Sequence, residues 1–212
     1  MAKLSGAQTG TPSRRQCLIV SASRLFAEHG YQGTTIRMIA RECGITEAAI
    51  YKHFDGKDML YEEVIHSKSR QHEIAAYLAT RAELPDIEEV LFTVARHILA
   101  TAREDPDLLR MLLYSSLEGF RGSTLLYREV RQPYIAYLRE ELRLRTASGE
   151  LRPVNPFISS RCFVGMVMDC AINVELWNNL ESTAYSAEAV IQNNVPVFAR
   201  GLRVEPAPTT EN

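Results

Sequence analysis

From Thr34 to Phe54 the chain reads Thr-Thr-Ile-Arg-Met-Ile-Ala-Arg-Glu-Cys-Gly-Ile-Thr-Glu-Ala-Ala-Ile-Tyr-Lys-His-Phe, two short helices on either side of a turn. Ile36, Ile39 and Ala40 make one apolar stripe at helical spacing, and Ala49 and Ile50 begin another. Cys43-Gly44-Ile45 lies between them. Gly44 can enter the left-handed region that ends a helix, because it has no side chain to clash. Thr46 can cap the following helix through its hydroxyl. Two short helices crossing steeply around such a turn form a helix-turn-helix, whose second helix can enter a DNA major groove.

Working outward, Phe26-Ala27-Glu28-His29-Gly30-Tyr31 ends a preceding helix, and Gly33-Thr34-Thr35-Ile36 leads into the next. Ile50-Tyr51-Lys52-His53-Phe54 closes the stretch, with Lys57 after it. Through these motifs, residues 13–66 resemble the TetR/AcrR-type family of bacterial transcriptional regulators. They make up about a quarter of the chain; beyond residue 66 the resemblance is one of length and helical layout. It implies a homodimer that binds a palindromic double-stranded DNA operator as a repressor and is released by a small-molecule effector. It also implies an N-terminal DNA-binding domain over residues 13–60, followed by a ligand-binding and dimerisation domain over residues 61–203. Residues 1–12 read as a disordered tail and residues 204–212 as a flexible one.

Within the head, the resemblance assigns DNA contacts to Thr34, Thr35, Arg37, Thr46, Glu47, Ala48, Tyr51, Lys52, His53 and Lys57. Thr34 and Thr35 open the second helix, where hydroxyls and free N–H groups can hold a phosphate oxygen. Arg37 is one turn further in, within reach of phosphate or a base. Thr46, Glu47 and Ala48 open the recognition helix toward base edges: Ala48 suits a thymine methyl, Glu47 a cytosine amino group. Many relatives carry a basic or neutral residue at the position of Glu47, which also complements the helix dipole. Tyr51 and His53 match backbone-phosphate contacts, Lys52 adds charge, and Lys57 stands at the start of a fourth helix.

Composition narrows the alternatives. The 212 residues carry a net charge of −2, so no global field draws the chain to nucleic acid. Residues 1–60 hold eight Lys/Arg against five Asp/Glu, and the remainder sixteen against twenty-one. A mildly basic head on an acidic body suits a local DNA contact. Cys17, Cys43, Cys162 and Cys170 show no metal-type spacing and read as small buried hydrophobes in a reducing cytosol. No run approaches the ~18 consecutive apolar residues of a membrane span. The expectation is a cytoplasmic protein with no membrane partner, no metal, no cofactor and no catalytic residue.

The rest of the chain is helical in pattern, so the fold class is all-α. Expected helices cover residues 13–29, 57 to about 80, 87 onward, 106 to about 117, 123–146 with a bend at Pro133, 157–177 and 186–203. Residues 157–177 are apolar on two faces. Phe163, Val167, Cys170 and Val174 form one; Cys162, Met166, Asn173 and Trp177 form the other. A helix apolar on two faces is buried on both, so this helix and the last one are placed at the dimer interface. Candidate effector contacts are His97, Tyr114, Tyr137, Met166, Asp169, Asn173 and Trp177, aromatic or soft residues and polar groups in apolar surroundings. Phe92, Phe120, Tyr134 and Met168 belong to the same set of body residues. A moderately apolar or aromatic effector is the default.

Two other function classes were weighed. Glu63 and His66 make one Glu-x-x-His pair of the spacing used by di-iron bundles, but the chain holds no second pair. There is no nucleophile elbow, zinc-protease motif or phosphate loop, so an enzyme is not expected. The remaining alternative is a helical small-molecule-binding or adaptor protein without DNA binding.

Overall fold

A computed structural model describes residues 13–81, 84–119, 121–177 and 185–204. The N-terminal tail, the C-terminal tail from residue 205 and Phe120 lie outside these described residues. The described chain is helical, with no β-strand; its one bridge pairs Leu151 with Arg203.

The first four helices are α1 (Arg14–Gly33), α2 (Ile36–Glu42), α3 (Glu47–Tyr51) and α4 (Lys57–His72). Ser13, Thr35 and Thr46 cap α1, α2 and α3, each hydroxyl accepting a first-turn N–H. Leu18, Ala22, Phe26, Ile39, Ile50, Phe54, Leu60 and Val64 bury their side chains between these helices. Phe26 meets Tyr61 edge-on, with ring centroids 4.8 Å apart. The α2–α3 turn runs through Gly44 at φ +64. α1 continues four residues past its expected end, through a kink at Gly30 (φ 71, ψ 178).

The body comprises α5 (Ile74–Ala79), α6 (Ile87–Glu104), α7 (Pro106–Glu118), α8 (Arg121–Leu126), a π-helical segment (Tyr127–Arg131), α9 (Gln132–Ala147), α10 (Pro156–Ile172), a second π segment (Asn173–Trp177) and α11 (Ala187–Leu202). α6 is the central member, packed by α9, α10 and α11. Its residues Ile87, Val90, Leu91, Val94, Ile98 and Leu99 are all buried. α7 lies along α1, so the body rests directly on the head.

Three expected helices are interrupted. The linking helix stops at His72 because Glu73 turns left-handed (φ 44, ψ 35) and starts α5. The helix expected over residues 123–146 is α8, a π segment and α9. Pro133 falls in the first turn of α9, where a missing N–H costs nothing, and the wider π turns ahead of it absorb the change of register. The two-faced helix likewise ends in π turns at Asn173–Trp177. Pro156–Trp177 has the length and hydropathy of a membrane-spanning helix, with 28% of the apolar window buried. It nevertheless carries Arg161 and Asp169.

The cysteines differ from expectation. Cys17 and Cys162 are exposed, and Cys43 and Cys170 half-buried. Each lies at the rim of its helix's apolar stripe, so helical periodicity alone placed it too deep.

Candidate DNA interface and effector cavity

Most of the nominated DNA-binding side chains are open to solvent. Thr35, Arg37, Thr46, Glu47, Ala48, Tyr51, Lys52 and His53 are all exposed. Tyr51 is 54% exposed, an aromatic side chain that α3 presents to solvent while Ile50 and Phe54 hold the helix to the core. Lys52 and His53 follow it off the end of α3. The surface is thus built of hydroxyl, imidazole, ammonium and guanidinium donors, with Glu47 the acidic exception.

Two nominated side chains are engaged internally. Thr34 is fully buried, and its hydroxyl lies 2.7 Å from the Gly30 carbonyl oxygen and 3.0 Å from that of Leu25. It ties α1 to the start of α2 and does not reach phosphate, which corrects the expectation. The cap of α2 is Thr35 alone. Lys57 donates to the carbonyls of Tyr31 (2.8 Å) and Thr34 (2.9 Å), with its ammonium 4.1 Å from the Tyr31 ring centroid. Burial lowers its pKa, against the opposing Glu118 carboxylate. Lys57 therefore fixes the α1–α2 junction, and one N–H of its three is left for other acceptors.

In the body, a cavity of ≈ 410 Å³ opens between α7, the α8–π segment and α10. Its walls include Leu109, Leu112, Ser116, Tyr127, Arg131 and Met168. None of the seven nominated effector residues lines it. His97 is instead stacked on Tyr77 (centroids 3.9 Å apart) and hydrogen-bonded through Nδ1 to the Tyr134 hydroxyl at 2.7 Å. Burial pushes its pKa down to about 4, helped by His72, so the ring is neutral near pH 7. Tyr137 donates to the Arg81 carbonyl at 2.8 Å, and Tyr114 to the Glu28 carbonyl at 3.1 Å, across the head–body seam. Met166 is half-buried, Trp177 exposed, and Asp169, expected to be buried, is exposed. Asp169 accepts from the Asn173 amide within its own helix. Together with Ile158 and Cys162 these residues form one stripe on the uncovered side of α10. Polar groups among apolar ones mark that outer stripe, not the cavity.

Sequence reading missed the residues that connect cavity to head. At the N-terminus of α7, Asp105 caps the helix at Leu108 N and binds Lys68 (2.6 and 2.7 Å) and His72 (3.1 Å) from the last turns of α4. Burial raises the Asp105 pKa, but hydrogen bonds from His72 and Lys68 outweigh it and hold the carboxyl down to about 2. At the C-terminus of α7, Glu118 accepts the backbone N–H groups of Tyr31 and Gln32, both at 3.0 Å. Asp105-Pro106 gave a capping signal; Lys68, His72 and Glu118 had none, since their partners are 33 to 87 residues away. Glu63, of the single Glu-x-x-His pair, is ion-paired with Arg15 (3.1 Å) and Arg70 (2.9 Å).

Comparison with known proteins adds a family to this geometry. Residues 18–64 match the family described as "Bacterial regulatory proteins, tetR family". The HTH-type transcriptional regulator HbdR of Aromatoleum sp. (strain CIB) is 28% identical over 146 residues, 68% of this chain and 63% of that regulator. Among solved structures, the transcriptional regulator FadR from Bacillus subtilis in complex with stearoyl-CoA superposes with a TM-score of 0.71 at 18% identity, covering 87% of this chain and 97% of that one. AibR in complex with isovaleryl coenzyme A and operator DNA gives a TM-score of 0.66 at 20% identity, covering 88% and 98%. At these identities the structural likeness is one of fold.

Proposed function

We propose that the chain, which matches the TetR family over residues 18–64 and shares its fold, is a ligand-responsive repressor that binds a palindromic operator as a homodimer in the cytoplasm. One observation carries the reading: α7 walls the body cavity and at its two ends holds the end of α4 and the end of α1, the helix that leads into the helix-turn-helix. A molecule seated against Leu109 and Leu112 and the head that would meet DNA bear on one rigid element.

Coupling requires that the effector favour the arrangement that fits DNA poorly. Both routes out of the cavity are polar and directional. Asp105 grips the end of α4, and Glu118 grips the end of α1. A shift of α7 must carry both along or break their hydrogen bonds. The cavity suits an effector with an apolar portion, in keeping with the acyl-coenzyme A compounds bound by two structural neighbours.

Dimerisation places two recognition helices in successive major grooves, ~34–36 Å apart. The uncovered stripe of α10 and α11, with Ile158 56% and Val197 68% exposed, supports that role.

The test is selection of genomic DNA fragments on the purified protein, with affinity then followed against salt. A short enriched palindrome is expected, with log affinity falling linearly in log salt as phosphate contacts release counterions. Tyr51→Phe combined with Lys52→Ala is expected to weaken binding to all sequences and to lower the salt slope by about 1. No enrichment by folded, dimeric and ligand-free protein would sink the reading in favour of a helical adaptor.

A further inference from the structure

Arg131 ends the π segment Tyr127–Arg131 and lines the body cavity. Its Nε is buried and has no hydrogen-bond partner, and among the described residues it forms no ion pair. A buried donor left unmet is unfavourable. Among the described residues no Asp or Glu lines the cavity. Around Arg131 the wall is otherwise apolar, with Leu109, Leu112, Met168 and Ile172, and carries hydroxyls at Ser116 and Thr124. A fixed positive charge faces a concave apolar surface with nothing of opposite sign to meet it.

We propose that the effector is a free carboxylic acid with a medium-length acyl or aromatic body, its carboxylate accepting from Arg131. The inference rests on reading this cavity as the effector site. A carboxylate supplies the missing countercharge, since guanidinium and carboxylate match in planar geometry. The remainder of such an acid lies against the leucines and Met168. At ≈ 410 Å³ the cavity stands at the small end of the ~300–1,000 Å³ typical of ligand sites. That volume takes an acid of moderate size, whereas an acyl-coenzyme A would have to leave its nucleotide outside. A small apolar void, bounded by Leu108, Val130, Tyr134 and Asp105, shares Leu109, Leu112 and Met168 with the cavity wall, so the body of the acid lies beside the Asp105 anchor of α4.

The experiment titrates the full-length protein with octanoate, octanol and octanoyl-coenzyme A by calorimetry, and repeats each titration on Arg131→Met. Operator affinity is measured on the same samples. Octanoate is expected to bind wild type about ten-fold or more tightly than octanol, the worth of one hydrogen bond to a charged group. Arg131→Met should lose that preference, bind octanol unchanged, and melt no lower than wild type, because a half-buried charge without a counter-ion has been removed. Arg131→Gln serves should the methionine variant misfold. Equal binding of octanoate and octanol, or a preference that survives in Arg131→Met, overturns the carboxylate assignment while leaving the cavity as effector site. Binding of octanoyl-coenzyme A alone overturns it in favour of a thioester ligand. Failure of all three probes overturns it too, and the operator measurement then reports separately whether the DNA-binding reading stands.

Discussion

Gly30 shows how one residue can set the contact between head and body. Its φ of +71 with ψ near 180° lies in a region essentially reserved for glycine. A Cβ there would stand 2.4 Å from Glu118 Oε1 and 2.9 Å from a ring carbon of Tyr114. Gly44 has a similar φ of +64 but open space around it. Gly44→Ala should therefore cost only the backbone term, ~1–2 kcal/mol. Gly30→Ala should cost clearly more, because it also displaces Glu118 from the Tyr31 and Gln32 amides. Thermal melting compares the two, and equal losses would mean that the Glu118 contact contributes nothing. His97 gives a pH dependence of definite sign. Its folded pKa of about 4 lies below the ordinary ~6.5, so between those values the unfolded chain binds the extra proton. Stability should decline as pH falls from ~6.5 toward 4, and His97→Gln should flatten that part of the profile in chemical denaturation. The sequence made Gly30 legible as a helix end, but not as the seat of a carboxylate 88 residues away.

At the scale of the element, α7 behaves as a bar pinned at both ends. Asp105 is buried with Lys68 and His72, and removing its charge leaves the Lys68 ammonium without its partner. Asp105→Asn should cost ~3–5 kcal/mol, the usual effect of breaking a buried ion pair from one side. Lys68→Met combined with Asp105→Asn should recover part of that loss, which a double-mutant cycle measures; strict additivity would show that the pair does not interact. The carboxyl is held at about 2, below its ordinary ~3.9, so its contribution is complete above ~4 and disappears as pH falls toward 2. The short helices α2 and α3 were readable because stripe, glycine and cap all fall within a few residues. The end of α4 was not: Glu73 adopts a left-handed turn without glycine or proline to announce it. The π turns before Pro133 were equally silent, since no residue of the local sequence marks them; the segment packs against α4, which is distant in the chain.

For the whole molecule, the exposed apolar side chains of α10 and α11 are the feature that a single copy leaves uncovered. Val197 and Ile158 are 68% and 56% exposed on the outer side of α11 and α10, where a lone soluble domain gains nothing from them. Val197→Glu with Ile158→Asp should leave the helical content unchanged and turn the proposed dimer into a monomer in sedimentation. Operator affinity should drop by orders of magnitude as two half-sites become one. A dimer that persists in this variant places the interface elsewhere. The sequence by itself determined the all-α class, the helix-turn-helix and its exposed donors, because these follow from periodicity, caps and one glycine turn within some twenty residues. Only the tertiary structure decided which polar residues face the cavity. Met166, Asp169, Asn173 and Trp177 share the outer stripe, while Arg131, hidden in a charged run, turns inward. Helical spacing says which side chains lie together, but which side of a helix meets solvent, cavity or neighbour is set by packing between elements distant in the chain.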